Sequence, residues 1–176
     1  AEVVDGQQRL TTLTILLSVL RAFVPSFSQP LAARLFQKGD PIKGTQDQPR
    51  LTIRPQDQSF LEKHILADDA VQRLDDINAP QLSDSQQNLV RNARLFRDRL
   101  SEFSEDECAR LVRFVDGYTY LVTVATQDFD SAYRIFTVLN ERGLDLTHAD
   151  ILKSEVIGSL PLEAQALPVD EHSHEA

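Results

Sequence analysis

Apolar residues spaced at three- and four-residue steps, Leu10, Leu13, Leu17, Leu20 and Val24, predict an amphipathic helix that begins after Gly6 and ends near Pro25. Just upstream, Val3 and Val4 read as the end of a β-strand stopped by Asp5-Gly6. Leu31 to Phe36 predicts a short helix, Gly39 to Arg50 a polar loop, Leu51-Thr52-Ile53 a short strand, and Ser59 to Leu66 another helical segment. After a loop around Asn78-Ala79-Pro80, Ser83 is placed to cap a long helix with Leu89, Ala93, Phe96, Leu100 and Phe103 on one face. Its opposite face carries Arg91, Arg94, Asp98 and Glu102, expected to be solvated and joined in local ion pairs, with phosphate binding by the arginines as the alternative. Ser104 followed by Glu107 has the form of a capping box. The helix it opens is expected to pack Leu111, Phe114 and Val115, with Cys108 buried or on its flank.

The β-branched and aromatic run from Tyr118 to Ala125 predicts a strand. Ala132, Ile135, Phe136 and Leu139 then mark a helix that ends at Asn140-Glu141-Arg142-Gly143. Thr147 caps a last helix, with Asp150 at its third position and Ile151, Leu152, Val156 and Ile157 on its buried face. Residues 161–176 are expected to form a poorly ordered tail. The fold class expected from this pattern is α+β, predominantly helical.

At 176 residues and 41% hydrophobic, the chain has the size of one ordinary domain, residues 1–160 apart from the tail, and too much apolar content for a disordered segment. No apolar stretch is long enough to cross a bilayer. Its one cysteine, Cys108, leaves no internal disulfide to form, and no Cys/His spacing suits zinc, so a cytoplasmic setting is the default. The chain contains no Met and starts at Ala1, without the basic and apolar regions of a signal peptide, and so reads as a fragment of a longer protein. The net charge of −9 argues against a nucleic-acid surface as a whole. It is unevenly spread, however: residues 1–66 hold 8 Lys/Arg against 6 Asp/Glu, whereas residues 67–176 hold 10 against 21. An anion site is therefore expected in the first third, or on a few placed arginines.

The segment with the most chemistry is Asp5-Gly6-Gln7-Gln8-Arg9, set where a strand end meets a helix start. A helix start offers unpaired N–H groups and partial positive charge, and Gly6 admits a ligand close to the backbone. Arg9 adds a fork of donors suited to phosphate, Gln7 and Gln8 add neutral amide donors, and Asp5 suits either orienting Arg9 or holding hydrated Mg²⁺. The plainer reading stays open: an Asp-Gly turn, Asp5 as N-cap and Arg9 as a surface residue. Neither a P-loop nor a G-x-G-x-x-G fingerprint is present. His64 and His148 are isolated, His172 and His174 lack a third ligand, and Cys108 has no evident base partner, so none is read as a site.

The run Val3-Val4-Asp5-Gly6-Gln7-Gln8-Arg9-Leu10-Thr11-Thr12-Leu13 resembles the signature of the N-terminal domain of the GmrSD type IV restriction endonucleases. Ile135 to Thr147, with Asp150-Ile151-Leu152-Lys153, resembles the same family's second block, and the likeness spans about residues 3–157. The resemblance implies a ParB/sulfiredoxin-like fold with a helical extension, here a fragment lacking the upstream strands. It also implies binding and hydrolysis of nucleoside triphosphates through the Asp-Gly-Gln-Gln-Arg motif, in defence against phage or foreign DNA carrying modifications. On that basis Asp5, Gln7, Gln8 and Arg9 are the candidate catalytic residues. Gly6, Arg9, Asn140, Arg142 and Lys153 are candidates for holding the nucleotide, and Asp5 for holding Mg²⁺. The implied partners are nucleotide, modified DNA and an HNH-type nuclease domain, with a homo-oligomer left open and no membrane. No nuclease motif follows Lys153, so nuclease activity is not expected of this chain itself. The alternatives are a non-catalytic DNA- or partner-binding module and a helical scaffold for a nuclease.

Overall fold

A seventeen-residue helix, α1 (Gln7–Phe23), forms where the apolar spacing predicts it and stops ahead of Pro25, whose missing N–H cannot extend it. The computed structural model describes residues 3, 6–123 and 125, which carry the first of the chain's two compact units, residues 1–122. Of the second unit, residues 123–176, only 123 and 125 are described. The helices predicted from Ala132 onward, the tail, Asn140, Arg142, His148, Lys153, His172 and His174 therefore lie outside the described residues, as do Val4 and Asp5.

After α1 come α2 (Ser28–Leu35), strands β1 (Phe36–Gln37) and β2 (Gln48–Pro49), α3 (Pro55–Leu61), α4 (Asp84–Leu100) and α5 (Glu105–Tyr118). A π-helical turn, Glu62–Leu66, continues α3, and short 3₁₀ turns occupy Val71–Asp76 and Ala79–Gln81. The described residues are thus mostly helical, with one small antiparallel sheet in which Phe36 faces Pro49 and Gln37 faces Gln48.

Helix α1 is the central element, packing against α2, α4, α5 and the π turn. Its Ile15, Val19 and Leu20 are buried with Leu31 and Leu35 of α2, Leu61 and Ile65, Leu89 and Ala93 of α4, and Cys108 and Val112 of α5. Each fully buried Leu or Ile stabilises such a core by roughly 1.5–3 kcal/mol relative to exposure. Leu20 and Val24 are buried as expected, but Leu10, Leu13 and Leu17 are only half-buried. Burial is concentrated in the second half of α1, and the first half fronts an open groove.

Both expected caps are present. The Ser83 hydroxyl accepts from the Gln86 N–H, and Ser104 and Glu107 form the complete capping box. Several local expectations need correction. Val3 carries no strand; its carbonyl accepts from Gln7 Nε2 (2.7 Å). Leu51 to Ile53 is not a strand, because the Ile53 N–H donates to Gln58 Oε1 (2.8 Å) rather than to a neighbouring strand. Helix α3 starts four residues before Ser59, with Pro55 in its first turn, where a proline costs the helix no hydrogen bond. Tyr118 ends α5, and residues 119–123 and 125 form no strand, since among the described residues no strand lies alongside to supply a ladder.

The phase of α5 also differs from the expectation. Its buried residues are Cys108, Ala109 and Val112, with Leu111 packed at the margin, while Phe114 is 58% exposed. Small side chains face the core there, and the large aromatic lies outside. Phe103, expected on the buried face of α4, follows the helix end and is half-exposed.

Candidate functional site

Gly6 is the N-cap of α1 and adopts φ 87°, a left-handed conformation that an L side chain resists. The cap is therefore Gly6 and not Asp5, and it supplies no side-chain acceptor to the helix start. The Arg9 guanidinium lies beside Gly6, with Nε 3.9 Å from the point where a Cβ would stand. Gln7 and Gln8 follow on the first turn and are exposed.

These two glutamines border a groove of about 1190 Å³. One wall is the first half of α1, with Gln7, Gln8, Thr11 and Thr12. The segment from Arg50 to Arg54, together with Asp57 of α3, forms a second wall. Ser85, Asn88, Arg91 and Asn92 of α4 form the third. Gly6 and Arg9 are not among the lining residues, so the motif divides: its glutamines face the groove, and its arginine sits at the helix start.

Among the described residues the groove is basic in a chain that is acidic overall, since Arg50, Arg54 and Arg91 line it against the single carboxylate of Asp57. Each guanidinium is steadied by one protein acceptor. Arg50 Nε donates to the Ala33 carbonyl (2.9 Å), Arg54 Nη2 to Asp57 Oδ2 (3.0 Å) and Arg91 Nη2 to Asn88 Oδ1 (2.6 Å). A guanidinium has five N–H donors, so most of each fork remains for a ligand, already oriented. Thr11 and Thr12 are different: their hydroxyls donate to the Gln7 and Gln8 carbonyls, each at 2.8 Å, and are engaged within the helix.

Asp57 is the unusual member. Its side chain is 2% exposed, and Oδ2 receives both Arg54 and the Ser85 hydroxyl (2.9 Å), while Oδ1 has no hydrogen-bond partner. A buried carboxylate oxygen in that state is costly and calls for a physical explanation.

The arginines assigned to a solvated face of α4 divide as well. Arg91 fits that assignment in its local bond to Asn88, yet it also lines the groove. Arg94 does not fit: it reaches inward to the carbonyls of Leu74 (2.7 Å) and Ile77 (3.0 Å), closing the end of the 3₁₀ turn. Sequence reasoning missed Arg50, Arg54, Asp57 and Ser85. The available signal was the Arg50/Arg54 pair following a polar loop, whereas nothing local distinguishes Asp57 from a solvated helix-start acid.

Elsewhere the titratable groups read as structural. Cys108 is fully buried, and burial pushes its thiol up, with Glu107 and Glu105 adding to the shift, which is unsuited to a nucleophile. Burial lowers the His64 imidazole, with Lys63 and Arg73 acting in the same direction. Among the described residues no three His, Cys, Asp or Glu come together to hold a metal ion, and no helix is long and apolar enough to cross a membrane.

A family model for the GmrSD restriction endonuclease N-terminal domain matches residues 1–157. No curated protein and no solved structure matches the chain.

Proposed function

Because the chain belongs to the GmrSD restriction endonuclease N-terminal domain family, we propose that it is the nucleoside-triphosphate-binding and hydrolysing regulatory domain of a modification-dependent restriction system. The observation that carries this reading is the groove in which Gln7 and Gln8 meet the oriented forks of Arg50, Arg54 and Arg91. Three guanidiniums with spare donors match the oxygens of a polyphosphate in charge and geometry. The amides of Gln7 and Gln8 orient phosphate or the attacking water without adding charge. In phosphoryl transfer such positioning and electrostatic stabilisation supply most of the rate.

Mg²⁺ bound with the phosphates neutralises charge that develops on them. The described donors suit a cation carried mainly by substrate and water, because among the described residues Asp57 is the groove's one carboxylate and Arg54 and Ser85 occupy its Oδ2. Asp5 is the residue proposed to touch the cation. On the same reading Arg9 contacts phosphate at the helix start, and Asn140, Arg142 and Lys153 are the further residues proposed to take part in nucleotide binding. The helices described above then form the extension of a ParB/sulfiredoxin-like fold. The partners are nucleotide, modified DNA and an HNH-type nuclease domain, and the setting is cytoplasmic.

The test is thermal unfolding of the full-length protein with and without nucleoside triphosphate and Mg²⁺. Saturation at a hundred times Kd stabilises a two-state protein by about 2.7 kcal/mol. The wild type should show that upward shift, and Arg9→Ala and Arg91→Ala should each lose most of it. A wild type that nucleotide leaves unmoved refutes the reading. One observation favours a second reading: the groove is open and its arginines sit on two walls, as a clamp on a DNA phosphate would also require. In that case binding to duplex DNA falls steeply with salt and no nucleotide is turned over.

A further inference from the structure

Arg54 is ordered at both ends of its side chain. Pro55 follows it and keeps its backbone extended, at φ −54° and ψ 139°, where α3 begins. At the far end, Asp57 Oδ2 accepts from Arg54 Nη2 at 3.0 Å, and the Ser85 hydroxyl donates to the same oxygen at 2.9 Å. The Arg54 side chain is nevertheless 63% exposed, whereas that of Asp57 is 2% exposed. The run Arg-Pro-Gln-Asp thus sets a solvent-facing guanidinium on a buried carboxylate, and Ser85 ties that carboxylate to α4, another wall of the groove.

Stability does not account for this arrangement. Burial strips Asp57 Oδ1 of water without giving it a partner, while an ion pair to a mostly exposed arginine contributes little to the fold. What Asp57 does supply is order in Arg54. An arginine on a surface has many rotamers, and fixing them only when an anion binds weakens that binding. Asp57 takes one of the five N–H donors and leaves the others, already oriented, for a ligand. Its negative charge by itself opposes an anion, but Arg54 matches that charge, and Arg50 and Arg91 keep the groove basic.

We propose that Asp57, held by Ser85, is a positioning residue for phosphate binding: it keeps the Arg54 fork in the orientation that meets a phosphate of the nucleotide, and it touches no ligand itself. The proposal rests on the nucleotide-binding reading and assigns Asp57 and Ser85 a role within it.

The experiment is calorimetric titration of the full-length protein with the four common ribonucleoside triphosphates and Mg²⁺, the tightest of the four serving as the ligand for every variant. Asp57→Ala should bind it about two- to tenfold more weakly, the loss expected when one arginine side chain has to be ordered on binding. Ser85→Ala should lose affinity in the same direction. Asp57→Asn, whose amide oxygen still accepts from Arg54 and Ser85, should bind as tightly as the wild type. The deciding comparison is made in Arg54→Ala: with no guanidinium to position, Asp57→Ala should cause no further loss. A groove merely distorted by the change at Asp57 binds less well in both backgrounds, and that result overturns the proposal. So does an Asp57→Asn as weak as Asp57→Ala, or an Asp57→Ala that binds as tightly as the wild type or more so, since the carboxylate then acts through its charge. Should Asp57→Ala not fold, Ser85→Ala in the two backgrounds makes the same decision. A wild type that binds none of the four nucleotides overturns the nucleotide reading itself, whereas the variant outcomes bear on the positioning role alone.

Discussion

Arg21 lies on the buried half of α1 at 6% exposure, an uncommon place for a guanidinium, and replacing it with Met tests why it is there. Its Nη2 donates to the Leu66 carbonyl at 2.6 Å, and Nη1 pairs with Asp68 at 3.2 Å. Leu66 ends the π turn that continues α3, where the last carbonyls of a helix have no partner in the helix itself. Ser18, one turn earlier on α1, donates to the Ile65 carbonyl in the same way. Two side chains of α1 thus close the end of a segment more than forty residues further along the chain.

The two contacts of Arg21 differ in worth. Asp68 is 96% exposed, so that ion pair contributes only about 0–1 kcal/mol. The buried charge-assisted bond to Leu66 contributes about 1.5–3 kcal/mol, and losing it strands a carbonyl out of water. Arg21→Met, which keeps the length of the side chain, should therefore lower stability by about 2–3 kcal/mol. For a chain of this size that is a fall in Tm of roughly 4–12 °C. Urea unfolding followed by circular dichroism measures it, with Asp68→Asn as the control, expected within about 1 kcal/mol of wild type. If Asp68→Asn costs as much as Arg21→Met, the surface pair is what matters and the carbonyl argument is wrong. The result bears on the groove too, since these bonds tie α1, which carries Gln7 and Gln8, to the segment that carries Asp57.

Two further outcomes follow from the same geometry. Cys108 is fully buried with its thiol pushed up, so a thiol-specific reagent at neutral pH should modify the native protein far more slowly than the urea-unfolded chain; equal rates would contradict the packing of α5. Glu107 is held below its ordinary value near 4.5 by the Ser104 N–H and hydroxyl, so its capping contribution is present above that pH and is lost as pH falls through the lower folded-state value. Urea midpoints measured between about pH 5 and pH 3 should therefore fall less steeply for Glu107→Gln, which keeps an acceptor that does not titrate, than for the wild type.

What could be read directly from the residues was local. Gly6 opens α1 as its N-cap in a conformation suited to glycine, Ser83 and Ser104 cap their helices within three residues, and Pro25 stops α1. Each depends on near neighbours in the chain, so its spacing alone carries the information. The motif around Gln7 and Gln8 and the family it belongs to were legible for the same reason. The remaining features depended on which distant segments meet. Arg94 looked solvated until the 3₁₀ turn of Val71–Asp76 brought two carbonyls to it, and Phe114 looked buried until α1 selected the small-residue face of α5. Asp57 is the clearest case. In sequence it is one acidic residue at a helix start, and it becomes a buried carboxylate with one unpaired oxygen only because Ser85, 28 residues on, packs across it beside Arg54. Burial and hydrogen-bond satisfaction belong to the assembled chain, and the wall that Asp57 adds to the groove was therefore settled by the tertiary structure.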